Sequence, residues 1–186
     1  MDKNKIKVLG FAGSLRQGSY NKALLRSAAD LVPDNMQLEI SDLEGIPPFN
    51  QDIEQDMPDK VKEFKTKIRE ADAILIATPE YNFSVPGVLK NAIDWASRPY
   101  GDNPFDGKPV AIMSASPGML GGANAQFHLR QTCVFLNMYQ INKPLVIVTF
   151  AQDKFDANGK LVDNNTKKFL RQLLDNLVNW TRKLSA

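Results

Sequence analysis

Ile6-Lys7-Val8-Leu9-Gly10-Phe11-Ala12-Gly13-Ser14-Leu15-Arg16-Gln17-Gly18-Ser19-Tyr20-Asn21 is the stretch that decides the fold. Its first seven residues are nearly all apolar, as in a strand buried on both faces. They end in a tight turn of two glycines and two serines. Beyond it, Leu24, Leu25, Ala28, Leu31 and Val32 recur at helical spacing. A buried strand that passes through small residues into an amphipathic helix opens an α/β fold.

The same texture repeats along the chain. Apolar runs follow at Met36–Ile40, Ala73–Ala77, Val110–Met113 and Leu145–Phe150, and only Met36–Ile40 alternates as an edge strand does. Between the runs lie helical stripes. One is Val61, Phe64 and Ile68. A second is Val85, Val88, Leu89, Ala92, Ile93 and Ala96, and Leu170, Leu173, Leu174, Leu177 and Val178 form the last. Pro86 suits a first helical turn, with Ser84 before it as a candidate cap. Asp163, Asn164, Asn165 and Thr166 offer caps for the final helix. Five β-α repeats predict a parallel sheet with helices on both faces, in one domain over 1–186. Five strands favour the order 2-1-3-4-5 over the six-stranded dinucleotide fold.

Bulk properties narrow the partners. The 186 residues are 43% hydrophobic and 24% charged, ordinary for one globular domain. The net charge of +2 gives no reason to expect nucleic acid or a membrane as a partner. Cys133 stands alone, so no internal disulfide forms and a reducing compartment fits. The charged start Met1–Lys5 followed by Val8–Ala12 imitates a signal peptide, but the stretch is too short and lacks a cleavage pattern. The expectation is a cytoplasmic protein.

In an open α/β sheet, ligands sit outside the carboxyl ends of the strands where the strand order reverses. The loops after strands one, three and four meet there. In the first, free N–H groups at a helix start, the hydroxyls of Ser14 and Ser19, the Arg16 guanidinium and the Asn21 amide form a phosphate cradle. It is neither a G-x-G-x-x-G nor a Walker loop, so a mononucleotide phosphate is expected. The second loop, Thr78–Gly87, is stiffened by two prolines; its donors from Glu80 to Ser84 suit the pyrimidine edge of a flavin, with Tyr81 and Phe83 near the ring. Glu80 is its only carboxylate, either a ligand or a residue bonded to nearby backbone. The third loop, Ser114–Ala123, has three glycines that allow close backbone approach, with Ser116 and the Gly118 amide as donors.

Gly13-Ser14-Leu15-Arg16 with Ser19 and Asn21, the Pro79-Glu80-Tyr81-Asn82 segment running on to Lys90-Asn91-Ala92-Ile93-Asp94-Trp95, and Gly121-Gly122-Ala123 together resemble the NADPH-dependent FMN reductase family. Within it the likeness is greatest to bacterial quinone and chromate reductases. The resemblance implies a flavodoxin-like three-layer sandwich that binds FMN tightly but non-covalently. Ser14, Arg16, Ser19 and Asn21 would hold the phosphate, with Tyr20 beside them. Pro79, Glu80, Tyr81, Asn82 and Ser116, with Gly118, would meet the isoalloxazine. It also implies a homodimer or homotetramer.

The chemistry then belongs to the cofactor, and no catalytic acid, base or metal ligand is assigned. Hydride would pass from NADPH or NADH through FMN to a small acceptor (a quinone, free flavin, azo compound or chromate) with ping-pong kinetics. The rival readings are a flavodoxin-type electron carrier, disfavoured by the +2 charge, and a flavin-binding regulator, for which no appended domain is seen. No motif reads a 2′-phosphate.

Other residues take plainer roles. Cys133 is expected to be a buried thiol, and His128 to pack or hydrogen-bond at a subunit contact. Phe127, Leu129, Val134, Phe135, Leu136, Met138 and Tyr139 wrap more than one helix face, which calls for a second subunit besides the sheet. Trp95 serves core, interface or flavin mouth. The loop Asp42–Met57 either covers the sheet edge or reaches a neighbouring subunit. Lys60, Lys62, Lys65 and Lys67, with Glu63, are expected on a solvated face.

Overall fold

The computed structural model describes residues 5–185; Met1–Asn4 and Ala186, the ends of the expected 1–186 domain, lie outside the described residues. Along the chain run β1 (Ile6–Ala12), α1 (Tyr20–Ala29), β2 (Met36–Ser41), α2 (Asp59–Glu70), β3 (Ala73–Ala77) and α3 (Gly87–Ala96). Then come β4 (Pro109–Ala115), α4 (Ala123–Phe135), β5 (Tyr139–Gln140), β6 (Val146–Val148) and α5 (Asn164–Leu184). Every strand pair is parallel and the order is β2-β1-β3-β4-β5, as the alternating texture predicts.

The fifth position differs from expectation. Two short strands share it: β5 pairs with the start of β4, at Pro109 and Val110, and β6 with its end, from Met113 to Ala115. Pro144, between them, has no N–H to give a ladder, and Phe150 turns to a left-handed φ of 47°. The apolar run Leu145–Phe150 therefore yields only three strand residues.

Alternate side chains of the strands feed two cores. Val8, Ala12, Ala73, Leu75, Ala77, Ala111, Met113 and Ala115 face the layer of α1 and α5. Leu9, Phe11, Ile74, Ile76, Val110 and Ile112 face α2, α3 and α4. The alanines bring α1 and α5 close to the sheet. Gly10 belongs to the same logic, since a Cβ there would lie 2.9 Å from Leu25 Cδ1. Each fully buried Leu, Ile or Phe contributes roughly 1.5–3 kcal/mol.

Asp163 caps α5 as expected, its carboxylate accepting the Thr166 N–H at 2.8 Å. Ser84 does not cap α3: Pro86 holds that position and makes no side-chain cap bond. The lysine run is also corrected. Lys65 is 3% exposed, because its stem runs beneath the loop after α3; its ammonium pairs with Asp102 at 2.9 Å and donates to the Arg98 carbonyl. Trp95 is core. Its indole N–H donates to the Pro47 carbonyl at 2.8 Å, and Phe49 meets its ring edge-on at 5.0 Å. Asn91 also bonds Pro47 and Phe49, so the 42–57 loop is fastened to α3.

Candidate functional site

Three loops leave the carboxyl ends of β1, β3 and β4 side by side. The ladder runs to their roots: Gly13 N–H donates to the Ala77 carbonyl at 2.9 Å, Thr78 to Met113 at 2.9 Å, and Ser116 to Val148 at 3.0 Å. Gly13 is obligatory, since a Cβ there would stand 2.9 Å from Leu89 Cβ. β1 thus ends against the start of α3, at the point where the strand order reverses.

The first loop is a donor-rich concavity. Ser19 caps α1, its hydroxyl oxygen accepting the Lys22 N–H at 3.3 Å, while Ser14 Oγ accepts from Arg16 N–H at 3.3 Å. Both hydroxyl protons remain to donate. Among the described residues, the N–H groups of Leu15, Gln17, Gly18, Ser19, Tyr20 and Asn21 find no backbone acceptor. The exposed Arg16 guanidinium has no carboxylate partner there either. Donors without backbone acceptors at a helix start, joined on the same loop by a guanidinium with no carboxylate partner, have the chemistry of a phosphate site.

Asn21 is the exception among the proposed ligands. Its side chain is 2% exposed, donates to the Ala115 carbonyl at 2.8 Å and accepts the Ala115 N–H at 2.9 Å. The amide is used up in tying α1 to the end of β4, and only its backbone N–H is left for a ligand. Tyr20 turns towards Phe155, with ring centroids 5.6 Å apart.

The second loop is pinned at both ends. The Glu80 carboxylate accepts from the Asn124 amide at 3.2 Å and the Ala125 N–H at 3.1 Å, at the start of α4. Of its two readings, the one bonded to backbone is found, though to a helix 45 residues away. Tyr81 and Ser84 exchange N–H···O bonds of 3.2 and 2.9 Å around Asn82 and Phe83. The N–H groups of Glu80, Asn82 and Phe83 find no backbone acceptor among the described residues. The Ser84 hydroxyl lies 3.0 Å from His128 Nδ1.

In the third loop, Gly118 donates its N–H to Ser116 Oγ at 3.1 Å, which points that donor inward and leaves the Ser116 hydroxyl proton as the outward one. The paired glycines serve the scaffold. At Gly121 a Cβ would stand 2.6 Å from Ile147 Cγ2, and at Gly122, 2.7 Å from Ser114 Cβ, both at positive φ. Of the loop's three glycines, only Gly118 would take a Cβ without a clash, its nearest neighbour being Ser116 Oγ at 3.6 Å.

Burial pushes the Cys133 thiol up to about 12, so it is an inert core group. Among the described residues no helix is long and apolar enough to cross a membrane.

Comparison with known proteins bears on the family and the fold. A family model described as NADPH-dependent FMN reductase matches residues 6–153. An NAD(P)H-dependent FMN reductase of Pseudomonas aeruginosa is 53% identical over 96% of this chain and 97% of its own length. A 2-hydroxy-1,4-benzoquinone reductase of a Burkholderia species is 42% identical over 95% and 97%. Among solved structures, the flavoenzyme NAD(P)H:(acceptor) oxidoreductase FerB of Paracoccus denitrificans superposes with a TM-score of 0.88 at 36% identity, over 96% and 98% of the two chains.

Proposed function

This chain belongs to the NADPH-dependent FMN reductase family and is an FMN-dependent oxidoreductase using NAD(P)H, and from that premise we propose that it passes electrons to quinones and other small acceptors by a ping-pong cycle. The observation that carries the reading is the first loop, where N–H groups without backbone acceptors, the Ser14 and Ser19 hydroxyls and the exposed Arg16 side chain share one turn at the start of α1. The Glu80 carboxylate, which would oppose an anion, is turned away to α4.

Bound FMN supplies hydride acceptance from the nicotinamide and electron delivery to the acceptor. The residues of the chain do the rest. Ser14, Arg16, Ser19 and the backbone of Tyr20 and Asn21 hold the phosphate. Pro79, Tyr81, Asn82 and the backbone of Glu80 face the ring, with Ser116 donating its hydroxyl proton and Gly118 leaving room beside it. Donors fixed before reaction favour negative charge on a reduced ring without reorganisation. Asn21 and Glu80 position these loops through their side chains.

The same proposal includes a homodimer or homotetramer formed on the outer face of α4, where Phe127, Val134 and Phe135 are exposed. It also includes residence in the cytoplasm, where an unpaired Cys133 stays a thiol.

The test is an anaerobic absorbance titration of FMN-loaded protein with NADPH and, separately, NADH. Bleaching near the flavin band of about 450 nm, reversed by a quinone, is the expected result and ranks the donors. A retained flavin that neither donor reduces would favour an electron carrier or regulator instead.

A further inference from the structure

Among the described residues, four that are not glycine take positive φ. Two are Asn82 and Asn137, a residue type that tolerates the left-handed region. The other two are phenylalanines, Phe83 at 61° and Phe150 at 47°. A bulky side chain there is a true outlier, and such strain gathers at functional sites. Both phenylalanines lie at the carboxyl edge of the sheet, one on the loop after β3 and one on the loop after β6. In sheet order they flank the glycine-rich loop after β4.

Phe83 is the sharper case. Asn82 and Phe83, both at positive φ, are the central residues of a two-residue hairpin turn closed by Tyr81 and Ser84. That turn is built for Asn-Gly. Here a phenylalanine stands where glycine fits, and the residue is 68% exposed, so no core packing compensates. Tyr81 beside it is 50% exposed. The turn is nevertheless held still, by Glu80 on α4 before it and by the Ser84–His128 contact after it. A strained backbone clamped from both sides, presenting an aromatic face to solvent at a ligand edge, is a preorganised platform.

We propose that Phe83 is the stacking surface by which this edge of the sheet selects flat aromatic electron acceptors over compact ones. The inference rests on the reductase reading and names its acceptor class. A quinone or free isoalloxazine offers a π face to an exposed ring. A compact complex ion such as ferricyanide offers none and gains nothing from Phe83.

The test uses FMN-loaded wild type, Phe83→Gly and Phe83→Tyr, each checked for full flavin content. In the oxidised proteins with no donor present, 1,4-naphthoquinone is titrated and binding read from the flavin difference spectrum. Phe83→Gly is expected to raise the dissociation constant at least fivefold, and Phe83→Tyr to hold it within twofold. In turnover, the ratio of kcat/KM for naphthoquinone to that for ferricyanide is expected to fall at least tenfold in Phe83→Gly. The melting temperature of Phe83→Gly should equal or exceed that of wild type, because glycine relieves the left-handed strain. An unchanged naphthoquinone constant, an unchanged ratio, or a smaller oligomer in Phe83→Gly would overturn the proposal; the last would make the ring a subunit contact. If wild type fails to bind FMN or to be bleached by either donor, the reductase reading fails instead.

Discussion

The Glu80 carboxylate closes the amino end of α4: one oxygen accepts the Ala125 N–H at 3.1 Å and the other the Asn124 side-chain amide at 3.2 Å. α4 has no cap of its own, since Gly122 stands at its N-cap position. A helix start leaves orphan N–H groups and a partial positive charge, and a carboxylate answers both. The same bond fixes the loop after β3, whose backbone is proposed to meet the ring.

Glu80→Ala is therefore expected to show two effects at once. Losing a cap costs about 1 kcal/mol, which for a chain of this size lowers the melting temperature by about 2–4 °C. FMN affinity should fall as well, because the neighbouring donors lose their aim. Glu80→Gln, which keeps one acceptor, should fall between. Thermal scans of apoprotein and flavin fluorescence titrations separate the two effects, and unchanged FMN affinity in Glu80→Ala would make the bond a scaffold contact only.

Arg16 and Asn21 should part company under mutation. If Arg16 holds the phosphate as proposed, Arg16→Ala removes a charged hydrogen bond, about 1.5–3 kcal/mol or roughly 10- to 150-fold in the dissociation constant of FMN. The apoprotein should melt as before, since the guanidinium pairs with no carboxylate among the described residues. Asn21→Ala strands the buried N–H and carbonyl of Ala115. It is expected to destabilise the apoprotein by ~2–4 kcal/mol. Equal melting losses in both variants would refute this division of labour.

That division marks where the sequence stops being readable. β1, β3 and β4 are buried on both faces, so their apolar runs announce them. The site loops are legible because prolines, glycines and serines cluster there. What was hidden depends on partners far along the chain: Asn21 meets Ala115 across 94 residues, and Glu80 meets Ala125 across 45. One signal could have found the second pair, since a helix opening at Gly122-Ala123 with no local cap needs an acceptor from elsewhere. Lys65 carried no such signal. Among alternating lysines it reads as solvated, and only the fold of the loop at Arg98–Asp102 buries it. Pro144 does foretell a break in the fifth strand, but not that both pieces would find β4.

Asp163 makes the acid limb of stability testable. Side-chain and backbone hydrogen bonds from Thr166 hold its carboxyl below the ordinary 3.8. A carboxylate with a depressed folded-state value contributes stability that is full above the unfolded value and is lost as pH falls through the folded one. The contribution is thus present at neutral pH and fades below about pH 4. Asp163→Asn caps without titrating, so its melting temperature should approach that of wild type as pH drops from 5 towards 3. A constant gap across that range would remove Asp163 from the acid response.

The outer face of α4 carries the proposal of a homo-oligomer. Val134 and Phe135 are 73% and 78% exposed and Phe127 is 52% exposed, while Leu129 and Cys133 of the same helix are buried on the sheet. An apolar stripe left in water after the sheet is satisfied is an interface in search of its partner. A two-fold contact sets each residue against the same patch of the second copy. Val134→Glu with Phe135→Glu would then bring like charges together and remove the apolar area that drives association. The expected outcome is a shift to monomer in sedimentation equilibrium at micromolar protein, with the apoprotein melting cooperatively, because neither side chain enters the core. If the double variant sediments like wild type, the subunits meet elsewhere and the α4 face needs another explanation.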